Sequence, residues 1–305
     1  MTRRVRPAGS VGAGCYSAPP MAYRLLALDL DGTLLRSDQR VDDRDIAAIA
    51  ELQAAGVTVT IVTGRLHSGS TAAARACAID GAIGCVDGSH LVEVASGRTL
   101  QRHAMTAEAA ALVRATCAHH GLTSFVFDAQ GIHHDHAGAA YARYISTWSP
   151  NLRVVEEDAA WQTEPLAAVG VGDERSVTEA HAMLREHAQL YSVSFAIGQL
   201  SSYIPSGPNQ PSAPWSGPRH ALMVRAAGAT KGTALAELCR RAGCSLGEAV
   251  AVGDWVNDVP MFEVAGRSFA MGSAPDVVRT KATDVLTSTA LAGGGIAEAI
   301  RRSWG

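Results

Sequence analysis

Two carboxylates stand two residues apart at the end of an apolar run in Leu26-Ala27-Leu28-Asp29-Leu30-Asp31-Gly32-Thr33-Leu34-Leu35. The run is long enough for a buried parallel strand. In an extended chain, residues two apart point to the same side, so Asp29 and Asp31 are expected to face one place together. Gly32 then permits a sharp turn. Acids at the tip of an apolar strand are costly to desolvate unless something cationic meets them. A bare Asp-x-Asp is more often a strand followed by an Asp-Gly turn. The attached Gly-Thr-Leu-Leu is what favours chemistry here.

Three further pieces follow in the chain. The β-branched run at 57–62 ends in Thr63-Gly64-Arg65. Thr230-Lys231-Gly232 opens a helix. The apolar run at 249–252 ends in Gly253-Asp254-Trp255-Val256-Asn257-Asp258. Each is weak alone, since a Thr-Gly-Arg is usually a turn and a lone lysine a solvated charge. Three of the four pieces sit at the ends of predicted strands, which is where ligands bind in parallel α/β sheets.

The stretch Asp29-Leu30-Asp31-Gly32-Thr33-Leu34-Leu35 resembles the first motif of the haloacid dehalogenase superfamily of phosphatases, and the other three pieces match that superfamily in order. Val259-Pro260-Met261-Phe262-Glu263-Val264-Ala265-Gly266 and Ala270-Met271-Gly272 are similar to the Cof-type subfamily, whose cap lies between the second and third motifs. The resemblance covers nearly the whole core; over the cap it rests on position and length. It implies a phosphatase that uses Mg²⁺ and an aspartyl-phosphate intermediate. Asp29 would be the nucleophile. Asp31 would protonate the leaving alcohol and later deprotonate the attacking water. Thr63 and the Gly64 amide would hold phosphoryl oxygens, Lys231 would neutralise their charge, and Asn257 would donate to the phosphate. Asp29, Asp254 and the main-chain carbonyl of Asp31 would hold the metal, with Asp258 orienting its shell.

Some positions depart from the family pattern. Asp87-Gly88-Ser89 stands where Asn-Gly-Ala is usual, Gly272-Ser273 replaces Gly-Asn, and Gly293-Gly294-Gly295 replaces an Asp-Gly pair. Asp and Asn both suit a left-handed turn, but Asp87 adds a negative charge at the expected cap hinge. Trp255 is large for its place beside Asp254. No catalytic group is lost, yet the substrate cannot be borrowed from the family.

The elements needed to position these pieces are legible as a β-α-β-α-β alternation: the strand before Asp29, a helix at 41–55 capped by Asp42 or Asp43 and ended by Gly56, a strand at 57–62, a helix at 67–78, and a strand at 82–86. That pattern predicts an α/β fold, a doubly wound parallel Rossmann-like sheet. From about Ser89 hairpins mix with helices, at 90–102, 106–120, 124–134 and 166–197, which reads as an inserted α+β cap domain. The parallel pattern is expected to resume with a strand at 221–224. The expected division is therefore a disordered extension at 1–20, a core of 21–89 and 219–305, and a cap of 90–218 that sets specificity. The segment 205–218 has five prolines and two glycines and reads as a long loop. His133-His134-Asp135-His136 is a tempting metal site, but only His134 and His136 share a strand face. A polar hairpin is expected, with His134 in reach of substrate.

Composition narrows the class. The 305 residues are 47% hydrophobic and 18% charged, with a formal net charge of −3. No basic excess speaks for nucleic acid, and no apolar run approaches a membrane span. Six scattered cysteines without a Cys-x-x-Cys pair read as reduced thiols of a cytoplasmic protein. The expected partner is a small phosphorylated metabolite, such as a sugar phosphate, bound by a monomer or weak homodimer. A phosphomannomutase-like phosphoryl transferase and a catalytically silent phospho-ligand-binding regulator are the rival readings.

Overall fold

A computed structural model describes residues 23–197 and 219–305; the expected extension at 1–20 and the loop at 205–218 lie outside the described residues. The strands in chain order are β1 Leu25–Leu28, β2 Thr58–Ile61, β3 Ala82–Cys85, β4 His90–Glu93, β5 Thr99–Arg102, β6 Thr123–Phe127, β7 Ile132–His134, β8 Leu152–Val154, β9 Ala167–Gly172, β10 Leu190–Ala196, β11 His220–Ala226, β12 Ala249–Gly253, β13 Arg267–Ala270 and β14 Asp284–Val285.

Five strands form a parallel sheet in the order β14-β13-β12-β1-β2. A parallel bridge from Val62 to Gly84 extends it to β3. Strand β1 is central and buried on both faces. Leu26 and Leu28 join the core with Ile49 and Leu52 of helix Asp43–Ala54 and Ile296 and Ala299 of helix Gly295–Trp304. Leu25 and Ala27 pack on the other side with Ala234, Leu235 and Leu238 of helix Lys231–Ala242. An unbroken apolar run is what a strand covered by helices on both faces requires. The chain leaves β1 towards β2 on one side and later returns at β12 on the other. The crevice at this reversal, beyond the carboxyl ends of β1 and β12, is the usual ligand position in such sheets.

Helix ends follow local chemistry. Asp42 caps the first helix by accepting from the Arg44 amide, and Gly56 follows it with φ of 87°. Thr230 and Thr233 form a reciprocal cap at the start of helix Lys231–Ala242, which fixes Lys231 as its first residue.

The hairpin of β4 and β5 pairs with β3, and so stays with the parallel sheet. A second sheet of six strands has the order β10-β11-β9-β6-β7-β8 and is antiparallel except for β7 and β8. The strand expected to resume the parallel pattern at 221–224 lies in this second sheet as β11, antiparallel to both β9 and β10. A short apolar run reads alike in either setting; pairing partners decide. The chain thus passes between the sheets near residues 103–106 and 227–230. Between β7 and β8 a 3₁₀ segment, His136–Tyr141, leads into a single α-helical turn, Ala142–Ile145. No helix among the described residues is long and apolar enough to cross a membrane.

His90 on β4 is buried, with Nε2 at 3.0 Å from Thr99 Oγ1. Burial, with Arg102 and His67 nearby, pulls its pKa from 6.5 down to about 4. A neutral imidazole in the fold that protonates freely when unfolded stabilises fully above pH 6.5, and that stability is lost as pH falls towards about 4. Urea midpoints should therefore fall across this window, and less steeply in His90→Gln than in the wild type. Equal slopes would show that His90 does not carry the effect.

Candidate active site

Strand alternation carries Asp29 towards the helix face. Leu25 and Ala27 lie against helix Lys231–Ala242, and Asp29 follows them by four and two residues respectively. Its amide donates to Val252 O at 2.9 Å, which ties the end of β1 to β12. The Lys231 ammonium donates to Asp29 Oδ1 at 2.5 Å and to Asp258 Oδ1 at 2.6 Å, with its side chain 1% exposed. Asp258 is fully buried, and its Oδ2 accepts from the Asp254 and Trp255 amides at 2.8 and 2.9 Å. These bonds wrap the turn after β12 around one carboxylate and place Asp254 beside Asp29.

Asp29, Asp254 and Asp258 offer oxygens that all lie within 4.8 Å of one another. Thr33 donates to Asp254 Oδ1 at 3.0 Å. Gly32 is required here twice over: its φ is 83°, and a Cβ would stand 2.2 Å from Asp254 Oδ2.

Electrostatics show what such crowding costs. Burial pushes the Asp29 carboxyl up to about 7, with Asp258 and Asp31 adding and Lys231 opposing. Burial, then Asp29 and Asp258, raise Asp254 well above the carboxylate range. Burial pulls on the Lys231 ammonium, but Asp258 and Asp29 outweigh it and hold its pKa above the ordinary lysine value. Three carboxylates against one ammonium leave two formal negative charges in a space lined with hard oxygen donors. A divalent cation fits that donor set and that charge.

Asp31 stands apart from the three clustered carboxylates, although its charge still reaches Asp29. The strand ends at Leu28, and the chain turns before Asp31, so the alternation does not extend to it. Its carboxylate is half exposed and takes both the Nε and the Nη2 of Arg65; the Nε contact is 2.7 Å. Arg65 also reaches Gln39 Oε1 at 2.5 Å and Gly69 O at 3.2 Å. The Asp31 side chain is not a member of the acidic cluster.

Thr63 is buried at the end of β2, where its amide donates to Gly84 O at 2.9 Å and its hydroxyl accepts from the Arg65 amide at 3.1 Å. Gly64 faces Asp87, since a Cβ there would lie 3.5 Å from Asp87 Oδ1. Asn257 donates to that same oxygen at 2.9 Å. The ends of β1, β2 and β12 and the first turn of one helix therefore meet, as the four motifs required.

His134 does not face this site. It is 2% exposed, its ring lies 5.4 Å from that of Phe125, and its Nδ1 sits 2.7 Å from Asp135 O. His133 is also buried and pairs with Asp128 Oδ2 at 2.8 Å, while His136 is exposed. Strand β7 lies between β6 and β8, so both of its edges are paired, and all three of its residues are buried. The expected substrate contact of His134 is replaced by packing. Sequence reasoning gave no role to Arg65, Thr33 or Arg225. The first two stood inside quoted motifs, whereas Arg225 carried no local signal.

A family model for haloacid dehalogenase-like hydrolases matches residues 26–300. The chain belongs to the haloacid dehalogenase-like hydrolases. This hydrolase is 28% identical over 269 residues to the pyridoxal phosphate phosphatase YbhA of Escherichia coli (strain K12), covering 87% of this chain and 94% of that one. It is 25% identical to the 5-amino-6-(5-phospho-D-ribitylamino)uracil phosphatase YcsE of Bacillus subtilis (strain 168), over 91% and 94% of the two chains. Its fold matches the crystal structure of a haloacid dehalogenase-like hydrolase from Bacteroides thetaiotaomicron with a TM-score of 0.73 at 22% identity, covering 92% of this chain and 99% of that one.

Removing one partner of a buried charge pair leaves the other uncompensated. Lys231→Met should lower unfolding free energy by about 3–5 kcal/mol in metal-free buffer. Urea denaturation in chelator measures this, and a loss below about 1 kcal/mol would show that the acids reorganise around another partner.

Proposed function

We propose that this hydrolase is a Mg²⁺-dependent phosphatase that releases inorganic phosphate from a small phosphorylated metabolite, acting in the cytoplasm as a monomer or weak homodimer. The observation that carries the reading is the grip of Lys231 on Asp29 and Asp258 beside Asp254. It supports a reading in which Asp29 is the nucleophile, Lys231 a fixed positive charge and the three carboxylates a divalent-cation site within one small space. Family membership and two metabolite phosphatases as relatives support the same reaction class.

In this reading an Asp29 oxygen attacks the phosphorus and the bond to the substrate oxygen breaks. Asp31 supplies the proton that the leaving alcohol takes. A water then attacks the phosphorus of the aspartyl-phosphate and gives its proton to Asp31, and phosphate leaves with Asp29 restored. Asp31 must give up part of its pairing with Arg65 to do this, and its half-exposed carboxylate is free to turn. Lys231 holds Asp29 in place and offers charge to the phosphoryl oxygens. Thr63, the Gly64 amide and Asn257 bind those oxygens. Asp29, Asp254 and the Asp31 carbonyl would hold Mg²⁺, with Asp258 orienting the set; the cation supplies charge neutralisation for an anionic nucleophile meeting an anionic substrate.

Strand pairing supports a division into a catalytic unit of residues 23–103 and 227–305 and an inserted cap of 104–226. The cap meets the catalytic unit again where the Leu66 amide donates to Trp148 O at 2.9 Å and Ser68 and Ser149 share a hydroxyl contact at 2.8 Å. A cover seated beside the Thr63-Gly64-Arg65 turn is suited to selecting leaving groups.

A panel of phosphorylated metabolites, including pyridoxal phosphate and sugar phosphates, tests the reading by phosphate release. We expect turnover with Mg²⁺, its loss in chelator, and a fall of roughly a thousandfold or more in folded Asp29→Asn. Undiminished turnover in chelator would reject the cation site. Conversion of one sugar phosphate to another without net phosphate release would favour a mutase.

A further inference from the structure

Arg225 is among the largest fully buried side chains of the protein, on a strand whose other residues are apolar except for His220 at its start. It stands next to last in β11, where the chain leaves the six-stranded sheet. Its guanidinium lies 4.4 Å from the centre of the Tyr191 ring on β10. Its Nε donates to Ala229 O at 2.6 Å, and its Nη1 donates to Asp87 Oδ2 at 3.0 Å. Both side chains of this pair are within 4% of complete burial.

Asp87 is held as firmly from the other side. It sits in a left-handed turn at φ 50°, with its amide donating to Thr63 O at 2.9 Å. The next residue, Gly88, has φ of 102° and lies so close to the second crossing that a Cβ would stand 2.3 Å from Thr230 O. Asp87 Oδ1 accepts from Asn257 Nδ2 at 2.9 Å. One carboxylate thus bridges the last turn of β11 to the amide side chain assigned to the phosphoryl group.

A buried ion pair is a poor source of stability, because apolar side chains of similar size often do as well or better. The polarity at this point has another use. An amide NH₂ has two N–H donors. Asp87 takes one of them, which fixes the plane of the Asn257 side chain and leaves one donor for substrate. Arg225 supplies the charge that lets a carboxylate do this inside the protein.

We propose that Asp87 is a positioning residue for Asn257, and that Arg225 keeps Asp87 in place and ties the setting of Asn257 to the position of β11. The inference rests on the phosphatase reading and on Asn257 as a phosphoryl-binding group. It implies that binding of the phosphoryl group and seating of the six-stranded sheet are linked through one carboxylate.

Two double variants separate positioning from mere structure. Asp87→Asn with Arg225→Met removes both charges but keeps an acceptor for Asn257. Asp87→Leu with Arg225→Met removes both charges and the acceptor. Neither leaves a buried charge unpaired. With p-nitrophenyl phosphate and Mg²⁺ as the probe, the first should stay near wild-type KM. The second should raise KM roughly tenfold or more, and Asn257→Ala added to it should cost little further. Thermal unfolding of both doubles is measured alongside; if the Leu variant does not fold, Asp87→Ala with Arg225→Met takes its place. Equal KM in the two doubles, or full additivity with Asn257→Ala, would overturn the inference while a working wild type left the phosphatase reading standing. A wild type that releases no phosphate from any ester would remove that reading and this inference with it.

Discussion

One buried ammonium governs the arrangement. Lys231 is almost wholly sealed from solvent and is bonded to two carboxylates that come from opposite sides of the sheet reversal. Without it, Asp29 and Asp258 would be uncompensated charges in a space from which water is excluded. With it, the end of β1, the turn after β12 and the first turn of a helix are held to one point. Acid crowding sets the complementary constraint. Burial and mutual repulsion push Asp29 up to about 7 and Asp254 well above the usual range, which is the cost of gathering these acids in one place.

The fold answers these demands with few parts. A parallel sheet brings several strand ends to one edge, and the reversal between β1 and β12 opens a crevice there. Glycines appear where the acids leave no room: Gly32 faces Asp254, and a Cβ on Gly253 would lie 2.4 Å from Asp258 Oδ2. Asp258 is bonded by Lys231 and by two backbone amides, so it serves as the anchor of the loop after β12.

Most of the parallel sheet was legible because its signals are local. An apolar run ending in Asp29, a β-branched run ending in Thr63 and an apolar run ending in Asp254 each declare both a strand and the place where it stops. Asp42 as a cap and Gly56 as a stop were legible for the same reason. What escaped depended on partners far away in the chain. The run at 221–224 gave no sign of whether it would lie parallel to β1 or antiparallel to β9. Arg225 finds Asp87 across 138 residues, and nothing near either one announces the other. His134 looked polar and available, but β7 is an interior strand and packing closed over it.

In the proposed mechanism, phosphorus must pass through Asp29. Rapid acid quench of enzyme mixed with Mg²⁺ and a substrate it turns over, followed by mass spectrometry of peptides, tests this directly. The peptide that contains Asp29 should carry the mass of one phosphoryl group at early times, localised to Asp29, and should lose it as turnover ends. A phosphoryl group on a different side chain during productive turnover would contradict the central assignment.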